Sequence, residues 1–351
     1  MSLTRINACD LLLKWNTFDH FIDARSETEY LLDHLPTAIN WPTLNDQERH
    51  DIGSTYTNVS SFEAKKRGAA LAAKNIANHI EREVINKPRE WHPLVYCWRG
   101  GKRSGSLALI LDQIGFHTTL IEGGYKAFRA EIIKDIPHLV NKLTFKVICG
   151  TTGSGKTRLL NSLKKQGAQV LDLEDLANHR SSVLGSIPGL EQPSQKRFDT
   201  LVWSNLRNLD QNQPVYVESE SKKVGNVSVP DNLILKIRDS ECFNLKLSES
   251  ERVNLLMEDY DFFVQDTEHF CQRLDALTSS RGKIIVESWK SSAREGKISS
   301  VVSNLLKQHY DPVYLESMKR NFTRFGTATE ISPRNRNSSS MDALARKIIG
   351  V

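Results

Sequence analysis

The sequence of 351 residues has few cysteines and no long apolar run, and both absences narrow the class of protein. The five cysteines are an odd number, stand far apart and include no C-x-x-C pair. This pattern argues against a disulfide framework or a cysteine-based zinc site, and it predicts reduced thiols. Because no apolar stretch is long enough for a membrane span or a signal peptide, we expect a cytoplasmic protein with no membrane partner.

The composition is ordinary for a soluble protein, but the charge is unevenly distributed. Hydrophobic residues make up 39% and charged residues 25% of the chain, whose length is sufficient for two domains. Residues 281–351 hold thirteen Lys or Arg against six Asp or Glu, whereas the first 280 residues sum to −2 of the total +5. A basic C-terminal segment predicts a polyanionic partner such as nucleic acid, although a solvated helical face has the same composition.

The stretch VYCWRGGKR places a cysteine between an apolar run and a helix. Residues 94–96 predict a buried strand, and apolar positions recur with helical spacing from about Ser104 to Gly115. A helix N-terminus and several cations stabilise a thiolate and bind an external anion, so we predict that Cys97 and Arg103 are catalytic. A buried structural cysteine is the alternative. The predicted anion-binding residues are Arg99, Gly100, Gly101, Lys102, Arg103 and Ser104.

The stretch TFKVICGTTGSGKTRLLNSL contains the complete G-x-x-x-x-G-K-[ST] motif. A predicted strand at 145–149 precedes it and a predicted helix at 158–163 follows it, which is the order that a P-loop requires. Its backbone N–H groups surround a diphosphate, Lys156 neutralises charge, and the Thr157 hydroxyl is a candidate ligand for Mg²⁺. The predicted diphosphate-binding residues are Gly150, Thr151, Thr152, Gly153, Ser154, Gly155, Lys156 and Thr157.

Acidic residues follow two apolar runs of the same region. In an open parallel sheet, side chains at the carboxyl ends of the strands meet the ligand, so these acids could contact a metal or a sugar. Ordinary surface acids remain an equal alternative for any one of them. We expect no tightly bound cofactor, with Mg²⁺ as the candidate ion. The acidic residues are Asp172, Glu174, Asp175, Glu218 and Glu220.

Four pieces of the first 140 residues resemble a rhodanese domain when taken in order. They are Asp23-Ala24-Arg25, HLPTAINWP, the Cys97 loop and GGYKAF. The resemblance implies a parallel sheet with flanking helices. The spacing C-x5-R is one residue longer than the usual sulfurtransferase loop and suits an anion of phosphate size or one that carries selenium. Phosphatases on this fold also have the longer loop, so loop length does not select the reaction.

Further motifs resemble the bacterial tRNA 2-selenouridine synthase family along nearly the whole chain. They are VLDLEDLANHRSSVLG, QPSQKRFDTLVW, VYVESESKKVGNVSVP and LLKQHYDPVYLESM, which accompany the two loops. The resemblance implies an exchange at the wobble 2-thiouridine of tRNA: S-geranylation from geranyl diphosphate, then selenation from selenophosphate. It also implies tRNA and a selenophosphate-producing enzyme as partners. Cys97 would carry selenium as a perselenide, preferred by analogy with sulfur transfer, or position the anion for direct attack.

The predicted fold class is α/β, with a rhodanese-like parallel sheet followed by a P-loop NTPase-like domain. We assign residues 1–140 to the first domain, with a linker at 136–142, and residues 141–244 to the P-loop core. Residues 245–330 form a helical, basic portion and 331–351 a loose tail. Aromatic residues alternate with cations in the helical portion and could stack on RNA bases, although such residues more often form core. The aromatic residues are Trp289, Tyr310, Tyr314, Phe322 and Phe325.

Three other functions stay open at this level. A P-loop kinase with a regulatory rhodanese module would turn over nucleotide without tRNA. A phosphatase-like hydrolase would need a general acid near the C-x5-R loop, and the sequence offers no evident one. A plain thiosulfate sulfurtransferase would leave the P-loop and the basic C-terminal segment without a role.

Overall fold

The computed structural model describes residues 3–180 and 189–350, without the side chain of Phe262. The chain divides into two compact units. The first comprises residues 1–135 with 194–204, and the second comprises residues 136–193 with 205–351. The end of the motif VLDLEDLANHRSSVLG, at 181–185, lies outside the described residues.

The first unit is built on a five-stranded parallel sheet in the order β1-β5-β4-β2-β3. Its strands are β1 (Thr4–Ile6), β2 (His20–Asp23), β3 (Ile39–Asn40), β4 (Pro93–Tyr96) and β5 (Thr119–Ile121). Its helices are α1 (Ala8–Leu13), α2 (Glu27–Leu32), α3 (Asp46–Asn58), α4 (Ser61–His79), α5 (Lys102–Ile114) and the part of α6 (Gly124–Lys142) up to residue 135. The predicted rhodanese-like parallel sheet with helices is confirmed.

The central strand of this sheet explains where the Cys97 loop lies. Strand β4 lies between β5 and β2, and all four of its residues are buried. The chain therefore leaves the sheet core at Cys97 and enters α5 at Lys102, two residues before the predicted start. Gly115 ends α5 in the left-handed conformation, with φ of 113°.

The second unit has its own five-stranded parallel sheet, in the order β12-β11-β6-β8-β7. The strands of this sheet are β6 (Phe145–Cys149), β7 (Gln169–Leu171), β8 (Val215–Glu218), β11 (Glu241–Leu245) and β12 (Thr329–Ile331). Two short strands of the same unit, β9 (Lys223–Val224) and β10 (Val227–Ser228), form a separate antiparallel pair. The first helices of this unit are α7 (Lys156–Lys165), α8 (Leu173–Leu176) and α10 (Asp231–Arg238). Helix α9 (Gln195–Arg207) lies between α8 and α10 in the chain, and its residues up to 204 belong to the first unit. The predicted P-loop type of α/β fold is confirmed.

Eight further helices follow β11 in the chain. They are α11 (Glu249–Asp259), α12 (Asp261–Gln265), α13 (Thr267–Leu274), α14 (Thr278–Arg281), α15 (Lys283–Arg294), α16 (Ile298–Leu305), α17 (Asp311–Asn321) and α18 (Ser338–Ile349). Helices α12, α13, α15 and α16 contribute to an apolar cluster that includes Phe270, Trp289 and Val301, and Met257 of α11 packs against it. This agrees with the helical C-terminal portion expected from apolar spacing.

The domain boundaries differ from the predicted ones in two places. Residues 136–142 are not a linker but the last turns of α6, because Ile136 and Val140 bury one face of this helix. Pro137 lies inside the same helix. Residues 194–204, assigned from sequence to the P-loop core, belong to the first unit.

The prediction of a loose tail at 331–351 is wrong. Ile331 ends strand β12, which pairs in parallel with β11 at the edge of the second sheet. Helix α18 then buries Met341, Leu344 and Ala345. The polar composition of this segment concealed these apolar positions, whose spacing of three and four residues forms one helical face.

Two of the five aromatic residues named above are not available for stacking on RNA bases. Trp289 and Phe322 are buried, only 3% and 4% exposed, and therefore belong to the core. Lys290 is 9% exposed and forms ion pairs with Asp275 and Glu287. Lys319, Arg320 and Arg324 are exposed, so they remain available to a polyanion.

All five cysteines are free thiols. Cys149 is buried and is a small core residue; the neighbouring Cys242 thiol and burial raise the pKa of Cys149. Among the residues that the structure describes, no helix combines the length and apolarity that crossing a membrane requires.

Candidate functional site

The thiol of Cys97 lies at the bottom of an anion-binding type of loop. Cys97 is only 3% exposed, directly after β4. Its Sγ accepts a hydrogen bond from the Gly101 N–H at 3.2 Å and another from Ser104 Oγ at 3.1 Å. These two hydrogen bonds hold the sulfur in place inside the loop.

The GGYKAF segment closes against the back of this loop. Gly124 has φ of 59°, and a side chain there would collide with the Cys97 carbonyl oxygen. That carbonyl accepts a hydrogen bond from the Tyr125 N–H at 2.8 Å, and the Trp98 carbonyl accepts one from the Lys126 N–H at 3.0 Å. The first two carbonyl groups of the loop are therefore occupied by α6.

Arg103 is oriented by a carboxylate that the sequence analysis missed. Its Nη1 lies 2.6 Å from Glu29 Oε2, and Arg49 Nε lies 3.1 Å from the same oxygen. Burial raises the pKa of Glu29, but the hydrogen bond and the charge of Arg103 outweigh burial, so this pKa lies below its usual value. Arg99 and Lys102 are exposed at the loop. Of the three predicted cations, Arg103 alone has this carboxylate partner.

A buried ion pair supports the strand beside the loop. Arg25 Nη2 lies 2.6 Å from Asp23 Oδ2 and donates to the Asp33 carbonyl, while its guanidinium lies 4.0 Å from the centre of the Tyr125 ring. The Asp33 carboxylate accepts from Tyr125 Oη at 2.7 Å and from Thr200 Oγ1 at 2.9 Å. These contacts fix the start of α6 and attach residues 194–204 to the first unit.

The P-loop connects β6 to α7, as predicted. Gly155 immediately precedes α7 with φ of 89°, and a Cβ atom there would lie 2.6 Å from Met341 Cε. Glycine suits this position because it adopts the left-handed conformation without the strain that a side chain would add. The misjudged C-terminal helix α18 thus supports the predicted diphosphate loop.

Lys156 is held across the mouth of the P-loop. Its Nζ donates to the Gly150 carbonyl at 2.7 Å and lies 5.4 Å from the centre of the Tyr314 ring. The Gly150 N–H donates to Tyr314 Oη at 2.7 Å, and Ser219 Oγ is 2.8 Å from the same oxygen. Burial raises the pKa of Tyr314, so its phenol stays protonated.

Among the acidic residues at the ends of β7 and β8, Glu218 has a structural role. Glu218 is buried, and its Oε1 accepts from the N–H groups of Leu173 and Glu174 at 2.7 and 2.9 Å. Burial, followed by the charges of Asp172 and Glu220, raises the pKa of Glu218 well above its usual value. Glu218 therefore anchors the start of α8.

Thr157 and Glu174 are the pair of this region that suits a hydrated magnesium ion. Thr157 Oγ1 lies 3.4 Å from Glu174 Oε2. Within residues 3–180 and 189–350, no three His, Cys, Asp or Glu side chains converge to hold a metal. The Thr157 hydroxyl and the Glu174 carboxylate are oxygen donors of the kind that Mg²⁺ takes when phosphate oxygens and water complete its shell.

A cleft of about 810 Å³ opens at the P-loop. Its walls include Lys156, Asp172 and Glu220 together with Tyr314 from helix α17. Arg252 of α11 binds the Thr152 carbonyl through Nη2 at 2.7 Å and pairs with Asp311 at 2.6 Å. The helical portion, which the sequence analysis linked to RNA, is thus a wall of the P-loop cleft.

The chain matches known proteins over both of its units. A model of the rhodanese-like domain matches residues 8–131, and one described as the tRNA 2-selenouridine synthase AAA domain matches residues 143–281. The tRNA 2-selenouridine synthase of Nitrosomonas europaea is 37% identical over 244 residues, which cover 68% of this chain and 63% of that relative. The enzyme of the same name from Sulfurovum sp. is 30% identical over 345 residues, 88% of this chain and 92% of the relative. The chain belongs to the tRNA 2-selenouridine synthase family.

Proposed function

We propose that this protein replaces the sulfur of wobble 2-thiouridine in tRNA by selenium. In the first step the base is S-geranylated from geranyl diphosphate at the P-loop, and in the second it receives selenium from selenophosphate at the Cys97 loop. The observation that carries this proposal is the presence of two anion cradles with different chemistry. One contains a sulfur nucleophile with two hydrogen-bond donors, and the other contains a lysine.

The P-loop is suited to hold a diphosphate leaving group. The thiouridine sulfur attacks C1 of geranyl diphosphate, the C1–O bond breaks, and its electron pair leaves with the diphosphate while the N3 proton is released. Lys156 would move from the Gly150 carbonyl to the diphosphate oxygens, where it neutralises the charge that develops on them. Thr157 and Glu174 would hold Mg²⁺, which supplies further charge neutralisation when bound.

The Cys97 loop is suited to attack selenophosphate at phosphorus. The Cys97 thiolate forms an S–P bond, the P–Se bond breaks, and the hydroselenide anion, HSe⁻, leaves with the electron pair. Hydroselenide then adds to C2 of the geranylated base, geranylthiolate leaves, and the hydroselenide proton ends on N3. Water hydrolyses the phosphocysteine to phosphate and regenerates the thiolate. Because the selenium leaves as a stable anion, cleavage of the P–Se bond needs no general acid. The sequence offers no evident one.

The carrier role preferred in the sequence analysis has a less favourable electron balance. If Cys97 attacked selenium, the S–Se bond would form and phosphorus would leave with the electron pair as phosphite. Attack of the perselenide on C2 of the base would then join the base to Cys97 through selenium. Cleavage of the S–Se bond in this adduct requires an external thiol. Attack at phosphorus needs no reductant, so it is the better use of a C-x5-R loop.

The two routes leave different products on the protein. Rapid quenching with selenophosphate labelled at phosphorus should give labelled protein and then labelled phosphate. Unlabelled protein with labelled phosphite would establish the perselenide carrier instead. Cys97→Ser should remove the label, whereas Cys9→Ser, an exposed thiol, should not.

The complete function is tested by mass spectrometry of tRNA nucleosides. Thiolated tRNA incubated with geranyl diphosphate alone should yield the S-geranyl nucleoside, and addition of selenophosphate should yield 2-selenouridine. Nucleotide hydrolysis without any change in tRNA would instead favour the P-loop kinase alternative. Thiocyanate formation from thiosulfate and cyanide, again without a change in tRNA, would favour a sulfurtransferase.

A further inference from the structure

A second, smaller cavity lies among the helices of the second unit. Its volume is about 60 Å³. Among the described residues that line it, none is charged and nearly all are aliphatic or aromatic. We call this cavity the apolar slot. It is lined by Thr152, Leu256, Met257, Tyr260, Phe263, Val264, Phe270, Ile298, Val302, Leu305, Leu306 and Tyr310.

The apolar slot adjoins the P-loop directly. Thr152, Leu256, Tyr260 and Tyr310 line both the slot and the P-loop cleft, so they form the boundary between the two. Leu256 lies so close to the loop that a Cβ atom at Gly153 would be 3.0 Å from its Cδ1. An anion held by the P-loop would therefore have an apolar surface beside it.

This combination points to an amphiphilic ligand. A cavity without charged groups offers little to the polar edges of a nucleobase or the hydroxyls of a ribose, which need hydrogen-bond partners when buried. Such a cavity also holds water poorly, so apolar atoms gain free energy by entering it. A diphosphate that carries a short hydrocarbon chain satisfies the loop and the slot at once.

We propose that the apolar slot binds the distal end of the hydrocarbon chain of an allylic diphosphate whose head lies in the P-loop. This inference rests on the proposed function, which makes geranyl diphosphate the substrate of that loop. The slot accommodates roughly four to six groups of water size, about one isoprene unit. The isoprene unit that carries C1 must stay in the open cleft, where the tRNA sulfur attacks it. Geranyl has one further unit, and the slot receives that unit.

The test fills the slot and compares ligands with and without a distal isoprene unit. Val302 on α16 is half-buried and lines the slot, whereas Ser299 on the same helix is exposed. Val302→Phe should weaken binding of geranyl diphosphate by about tenfold, the scale of a methylene-sized misfit in an apolar pocket. Dimethylallyl diphosphate and inorganic diphosphate, which cannot reach the slot, should bind as to the unmodified protein. Ser299→Phe should change none of the three dissociation constants, measured by calorimetry.

Failure of the slot and failure of the function give different results. If the unmodified protein geranylates tRNA but Val302→Phe binds geranyl diphosphate normally, the slot proposal is overturned and the function stands. If the unmodified protein does not geranylate tRNA, the proposed function itself fails. A loss of inorganic diphosphate binding in Val302→Phe would indicate a damaged loop. In that case the same binding measurements are made on Val264→Trp, with Gln265→Trp on the same helix α12 as its control. Val264 lines the slot but is 40% exposed, so it tolerates a larger side chain. Weaker binding of geranyl diphosphate by Val264→Trp alone supports the slot, and unchanged binding overturns it.

Discussion

The Cys97 loop and the P-loop are built on the same plan but present opposite chemistry to an anion. Each leaves a buried parallel strand and ends at a helix N-terminus, where unpaired N–H groups collect. Each loop has a glycine at a close contact with another part of the chain. Gly124 packs against the Cys97 carbonyl, and Gly155 packs against Met341. The backbone of both sites is therefore fixed by contacts far apart in the sequence.

The difference lies in the side chain at the centre of each loop. In the first, a thiol receives two hydrogen bonds and can form a bond to the anion that enters. In the second, the Lys156 amine donates a hydrogen bond to the Gly150 carbonyl of its own loop. It can bind an anion or release it, but it forms no covalent bond to it. The comparison teaches that one loop is suited to covalent transfer and the other to holding a leaving group.

The largest effect should come from removal of the nucleophile. Cys97→Ser should reduce selenation by on the order of 10⁴–10⁶-fold, because an enzyme that loses its nucleophile keeps only binding and electrostatic effects. Geranylation should continue at the normal rate, since the proposed function assigns it to the P-loop. Nucleoside mass spectrometry of tRNA treated with each co-substrate measures both steps. Cys9→Ser is the matched control, and normal selenation by Cys97→Ser would refute a covalent role.

The second largest effect should come from the P-loop lysine. Lys156→Ala should slow geranylation by about 10²–10³-fold, the usual loss when one group that stabilises a developing negative charge is removed. Selenation of tRNA that has already been geranylated should remain. Lys165→Ala on the same helix removes an exposed ion pair with Asp342 and should leave both rates unchanged. Equal loss of both steps in Lys156→Ala would break the division between the two loops.

The loops themselves were predictable from sequence because each is a local pattern. A strand, a glycine-rich turn and a helix follow one another within about twenty residues, and the structure shows both in that order. The Ser26–Glu29 capping box that begins α2 was also readable as S-x-x-E. Its second role was not, because Glu29 meets Arg103 only after the chain has folded, 74 residues away.

The surroundings of the P-loop were less predictable for the same reason. Arg252 and Tyr314 reach the loop from 100 and 164 residues away, and a single sequence gives no sign of such contacts. Helix α18 was missed because serine and arginine dominate its segment, although Met341, Leu344 and Ala345 share one face. Composition described the exposed side of this helix, whereas the buried side determines its structure.

The smallest expected effects concern two carboxylates whose pKa values move in opposite directions. Above its usual pKa of 4.5, Glu29 stabilises the first unit through Arg103, and this contribution is lost as pH falls through its lowered folded-state value. Glu218 has a raised folded-state pKa, so its contribution is present below 4.5 and is lost as pH rises towards that value. Relative to Glu29→Gln, the unmodified protein should therefore gain stability with rising pH. Relative to Glu218→Gln, it should lose stability.

Urea unfolding at several pH values measures both differences through the shift in transition midpoint. Glu218→Gln is the cleaner variant, because a glutamine oxygen can still accept from the N–H groups of Leu173 and Glu174. Asp172 lies in the same acidic cluster with a pKa also raised by burial, so Glu218→Gln should flatten the pH dependence without abolishing it. Parallel slopes for Glu29→Gln and Glu218→Gln would contradict the assignment of opposite electrostatics to the two sites. Slopes of opposite sign would mean that ionised Glu29, beside the Cys97 loop, holds the Arg103 side chain in place. They would also mean that ionisation of the buried Glu218, beside the P-loop, destabilises the protein. A bound cation would relieve that destabilisation.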